Sequence, residues 1–136
     1  MAIIIALSAL AATNSFAQYN EIKSENIASL QVLAGNNWLS MPIATLNGEA
    51  INISFDDLTH EYHRYVYRLQ HCEADWSVSE GIFESDYCEG FADGSTIADI
   101  EESLNTNTLY THYRLSIPNE NCRIKMSGNY RLTVYD

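Results

Sequence analysis

Between Tyr62 and Trp76 the chain reads YHRYVYRLQHCEADW, and its apolar positions recur at every second residue. Tyr65, Tyr67 and Leu69 fall on one side of an extended backbone, and Arg64, Arg68 and Gln70 on the other. That is the pattern of a half-buried strand, because successive side chains leave opposite faces of a pleated chain. A helix would scatter the same residues around its circumference. The alternation fails at His71-Cys72-Glu73-Ala74-Asp75-Trp76, where a polar turn takes over.

The same period of two recurs along the chain. Ile27 to Leu33 places Leu30 and Val32 together, and Ala50 to Asp56 places Ile51, Ile53 and Phe55 opposite Asn52 and Ser54. Tyr110 to Ile117 sets Tyr113, Leu115 and Ile117 against His112, Arg114 and Ser116, and a last strand carries Tyr130, Leu132 and Val134 inward. Trp38 to Leu46 reads as a short edge strand because of Pro42, and Arg123 to Met126 as a short strand or a strand end. Turn chemistry separates these runs at 34–37, 118–121 and 127–129, and Asn47-Gly48 is a type I′ hairpin signal. The long section from Cys72 to Asn107 is irregular, with a helical fragment expected over Ile97 to Leu104.

About seven short strands without βαβ alternation predict an all-β fold, an antiparallel Ig-like β-sandwich. Tyr65, Tyr67, Leu69, Tyr113, Leu115, Tyr130, Leu132 and Val134 are expected to share its core. Residues 18–136 would form the sandwich, as the N-terminal domain of a longer protein. The apolar, uncharged run Met1 to Ala17, ending Ser15-Phe16-Ala17, has the hydrophobic stretch and small-residue cleavage site of a secretory signal peptide. It is too short for a convincing membrane span.

Charge narrows the partners. The net charge is −11, and seven Lys plus Arg offer little from which to build a phosphate-binding patch. Nucleic acid and anionic membrane surfaces are therefore disfavoured. Cys72, Cys88 and Cys122 are an odd number, so at least one thiol stays free. Export would permit one bridge, for which Cys72 and Cys88 are closest in sequence, while burial as small apolar side chains is the alternative. The absence of CxxC removes support for structural zinc.

Enzyme templates fare badly. His60-x-x-His63 would point its rings to opposite faces of an extended chain, and no GxSxG, Walker or dinucleotide glycine pattern occurs. The spacing of Glu84, Asp86, Glu89 and Asp93 does not match a calcium loop. Neither catalysis nor a cofactor is expected. The section from Asp75 to Phe91 stands out, since it sets Trp76, Phe83, Tyr87 and Phe91 among Glu80, Glu84, Asp86 and Glu89. Asp75, Trp76, Tyr87 and Phe91 are the candidate partner-binding residues. The rings could grip a protein, stack on sugar, or turn inward to cap the core.

Four phrases, YRLQHCEADWS (67–77), DYCEGF (86–91), YTHYRLSIPNEN (110–121) and SGNYRLTVYD (127–136), together resemble the N-terminal domain of the type IX secretion system plug proteins of Bacteroidota. The resemblance runs from about Leu30 to Asp136, with the blocks in the family's order. It departs at Cys88, where an aliphatic residue is commoner, and at Glu73, where Asp is. It implies an exported, non-enzymatic β-sandwich at the periplasmic face of the outer membrane. Such a domain would dock on the outer-membrane translocon and occupy its mouth when no substrate passes. An exported carbohydrate-binding sandwich is the competing expectation.

Overall fold

The computed structural model describes residues 20–37, 42–46, 48–59, 61–104 and 106–136. Each strongly alternating run is a strand: β1 (Ile27–Ala34), β2 (Ile51–Asp57), β3 (Val66–Cys72), β7 (Thr111–Ile117) and β9 (Asn129–Tyr135). Between β3 and β7 lie the single helical turn α1 (Glu84–Tyr87) and the short strands β4 (Cys88–Gly90), β5 (Asp93–Thr96) and β6 (Asp99–Glu102). The strand β8 (Cys122–Ile124) follows β7.

All pairing is antiparallel. One sheet runs β1-β2-β7-β6 and a second β5-β3-β9, while β4 and β8 form a separate two-stranded ribbon. The two larger sheets hold seven strands, but not the seven expected: β5 and β6 are additions, and the short strand or strand end expected over Arg123 to Met126 is β8 of the ribbon. Their inner faces meet in one cluster. Ile53, Phe55 and Tyr113 come from the first sheet, and Tyr67, Leu69 and Leu132 from the second. Tyr67, Leu69, Tyr113 and Leu132 are buried, and Tyr65, Leu115, Tyr130 and Val134 pack half-buried against them. Registers such as Phe55↔Tyr113 and Leu69↔Leu132 keep apolar positions facing apolar positions, which a one-residue slip would reverse. Ring geometry adds specificity: Tyr113 stacks on Phe55 at 5.2 Å and meets Tyr65 edge-on at 4.9 Å.

Three expectations are corrected. The helix expected over Ile97 to Leu104 is instead strand β6, where Ile100 lies opposite Tyr113. There Arg114 on β7 is held by Asp99 at 3.0–3.1 Å and Glu101 at 3.2 Å, an exposed cross-strand charge match that accompanies the backbone ladder, while Ile100 packs against the core. Residues 42–46, the described part of the expected Trp38–Leu46 strand, carry no strand; 38–41 lie outside the described residues. The Asn47-Gly48 hairpin also fails, although Asn47 itself is outside the described residues. The amide of Gly48 donates to Thr45 O at 3.0 Å, its φ is not left-handed, and the β1–β2 ladder already closes at Ala34↔Ile51. That turn therefore lies within the connection 35–50 rather than joining neighbouring strand ends. The signal-peptide segment 1–17 and His60 lie outside the described residues.

Candidate functional site

Beyond β3 the chain turns tightly back on itself. Glu73 N–H donates to Ser77 O at 2.8 Å, Trp76 N–H to Glu73 O at 2.9 Å, and Ser79 N–H to His71 O at 2.9 Å. Asp75 Oδ1 accepts from Ser77 Oγ (2.5 Å) and Ser77 N–H (3.0 Å), which holds its carboxyl below the usual carboxylate range. Trp76 occupies left-handed backbone space, φ 67°. This is a costly conformation for a bulky side chain, and here it swings the indole inward. The ring is buried against Cys72, and the Trp76 carbonyl accepts from Arg131 at 3.2 Å.

Tyr87 is buried as well. It follows Phe83, whose N–H donates to Asp86 Oδ2 at 2.8 Å and so starts the α1 turn. The Tyr87 hydroxyl donates to Leu69 O at 2.9 Å inside the core. Burial pushes its pKa up to about 12, aided by the charge of Glu84. Two of the four candidate partner-binding residues thus face inward. Asp75 and Phe91 are exposed, Phe91 at 69%, and the neighbouring Phe83 is more exposed still at 77%. Glu80, Glu84, Asp86 and Glu89 of the same section are exposed as well. The surface that results is two bare phenylalanines in an acidic setting.

A second feature was not legible as a motif. A groove of about 850 Å³ lies between the edge strands β1 and β9. Three of the chain's seven Lys and Arg residues, Lys23, Arg68 and Arg131, line it. At its end sits a polar network. Asp57, fully buried, accepts from Thr59 N–H (2.9 Å), Thr59 Oγ1 (2.7 Å) and the Tyr65 hydroxyl (2.8 Å). Burial works to raise its pKa, but those hydrogen bonds and the nearby His63 prevail and hold it below the ordinary value. His63 Nδ1 meets Asp136 Oδ2 at 3.0 Å, which raises the His63 pKa, and its buried Nε2 has no hydrogen-bond partner among the described residues. A groove beside sheet edges is a shape that can take an extended segment.

The family described as type 9 secretion system plug protein 1st domain matches residues 27–136. The chain belongs to that family. Among solved structures, a hypothetical protein from Parabacteroides merdae is similar at 42% identity and a TM-score of 0.79. The match covers 83% of this chain and 28% of that one, so the plug-family domain spans well under half of that relative's length. No curated protein matches it.

Set on the plug-family domain, the two surfaces differ in construction. The 75–91 section is acidic with exposed aromatics, whereas the β1–β9 groove is concave and mixed in charge, Glu21 and Asp136 lining it beside Lys23, Arg68 and Arg131. Among the described residues no group of three His, Cys, Asp or Glu side chains is placed to hold a metal ion. Among them, no helix is long and apolar enough to cross a membrane. Glu84, Asp86, Glu89 and Asp93 form no such group; Asp86 accepts from Phe83 N–H and Asp93 from the Tyr135 hydroxyl.

Proposed function

We propose that this domain is a non-enzymatic, periplasmic binding module that docks on the outer-membrane translocon of the type IX secretion system and occupies its mouth between substrates. The family match over residues 27–136 is the observation that carries the reading. Export is supported by the apolar run Met1 to Ala17, removed after Ser15-Phe16-Ala17. The mature domain would then sit at the inner face of the outer membrane.

The docking surface is the 75–91 section, with Phe91 and Asp75 as contacts and Phe83 beside them. Exposed aromatic rings supply large contact area at low entropic cost, and interface hot spots concentrate on such residues within a polar rim. The rim here is acidic, so the partner carries a basic patch and association weakens with salt. Trp76 and Tyr87 contribute indirectly, by fixing the backbone from the inside. The same burial removes two of the three rings that favoured sugar stacking, which weakens the carbohydrate-binding alternative.

A tagged domain pulled down from a Bacteroidota envelope should recover a translocon subunit, in decreasing yield as salt rises. Phe83→Ser with Phe91→Ser should abolish recovery, while Lys23→Glu with Arg68→Glu in the groove should leave it unchanged. Loss of capture through the groove pair alone would move docking to the β1–β9 face. Glycan-array binding with no protein recovered would favour the sugar-binding reading.

A further inference from the structure

We propose that Cys88 and Cys122 form a disulfide under oxidising conditions, closing the β4–β8 ribbon covalently, while Cys72 remains a thiol. The two Sγ atoms lie 2.8 Å apart, and both residues are buried, at 3% and 0% exposure. A covalent S–S bond is about 2.05 Å long, so only a small further approach is needed. Cys72, the nearest cysteine to Cys88 in sequence, instead packs with Trp76 in a separate cluster.

Backbone pairing holds the two thiols together. Cys88 lies opposite Ile124 and Cys122 opposite Gly90, so the cysteines are diagonal neighbours across the ribbon. Phe91 N–H to Asn121 O (2.7 Å) and Lys125 N–H to Tyr87 O (2.8 Å) fix the register at both ends. Gly90 makes the approach possible: at φ 110°, a Cβ there would stand 2.2 Å from Asn121 O. Any other residue would push the strands apart at the level of Cys122.

The chemistry balances with a disulfide oxidant, such as glutathione disulfide or a thiol oxidoreductase of an oxidising compartment. The thiolate of one cysteine attacks a sulfur of the oxidant, forming a mixed disulfide and releasing one oxidant thiol. The second cysteine gives up its proton and attacks the mixed disulfide, which releases the other oxidant thiol. Two S–H bonds are lost and one S–S bond forms; the oxidant takes both electrons and both protons. Burial pushes the Cys122 thiol well up in the folded ribbon, so little thiolate is present there. Closure therefore happens as the chain folds or when the ribbon opens. Persistence of the bond in the cell rests on the proposed export, but its formation in solution does not.

The test is refolding of the purified full chain in a glutathione redox buffer. The product is quenched with a maleimide in denaturant and read by intact mass and peptide mapping. The expected product takes a single label, on Cys72, and yields one cross-linked peptide pair joining Cys88 to Cys122. Three labels, or a cross-link to Cys72, would overturn the proposal. The oxidised chain should also melt higher than the reduced one, and Cys88→Ser should erase that difference; an unchanged melting point in the oxidised wild type counts against closure. Labelling of cell fractions is a separate readout. Free Cys88 and Cys122 in cells, with ready closure in the tube, would overturn the export reading alone.

Discussion

Replacing Tyr87 separates a buried anchor from an exposed contact, and the expected cost follows from its surroundings. The side chain is 6% exposed, packs in the main core and donates a 2.9 Å hydrogen bond to Leu69 O. An aromatic side chain of this kind buries roughly 150–250 Å², which at about 25 cal/mol/Å² is about 4–6 kcal/mol. Large-to-small aromatic substitutions in cores cost a similar 3–5 kcal/mol or so. Tyr87→Ala should therefore remove about 4 kcal/mol or more, a large share of the roughly 5–15 kcal/mol that holds a domain folded. Tyr87→Phe keeps the ring and deletes only the hydroxyl, so its cost should be near 1–3 kcal/mol. Phe91→Ser, at an exposed site, should stay within about 0.5 kcal/mol. Urea denaturation followed by tryptophan fluorescence measures all three on one scale. A Tyr87→Ala variant as stable as Phe91→Ser would refute the inward placement and return Tyr87 to the docking surface.

Acid unfolding should expose Asp57. Because its folded carboxyl titrates below the unfolded one, its contribution is complete above about pH 3.9 and is lost as pH falls through the folded-state value. Asp57→Asn should lower stability by about 1–3 kcal/mol at neutral pH and flatten the acid limb, and denaturation at several pH values reads both effects. The His63 pKa should lie above 6.5 in an NMR titration, with Asp136→Asn bringing it down. Stability gained from that pair is present below the unfolded histidine pKa and lost as pH rises through the folded one, the reverse of Asp57.

Most of the fold was legible because its strands bury one face. Period-two runs place Ile53, Tyr67, Tyr113 and Leu132 inward, where all four are buried, with their alternate neighbours Tyr65, Leu115, Tyr130 and Val134 half-buried beside them. Short strands gave no such signal. β6 spans only Asp99–Glu102 and carries Ile100 alone as an apolar member, too short a run to show a hydrophobic period. A pattern of Ile and Leu at wider spacing around it reads equally well as a helix. The Asn47-Gly48 signal failed for a related reason: turn chemistry states that the chain can reverse there, but not which strands the reversal joins.

The candidate site was legible in location more than in residues. An aromatic, acidic section identifies itself by composition, but composition does not tell which ring points inward. Trp76 turns in because its backbone is left-handed, and Tyr87 because Leu69 O lies within reach of its hydroxyl. Both causes are tertiary, set by the β3 end and by a core that forms from distant strands. Phe83 and Phe91 lack a hydroxyl to satisfy, and they flank the α1–β4 segment whose buried residues are Tyr87 and Cys88. The Cys88–Cys122 contact and the groove arise in the same way, from a ribbon and from two sheet edges that approach only in the folded chain. Local sequence thus marks where the surface is unusual, and the pairing of remote strands decides which of its side chains a partner can touch.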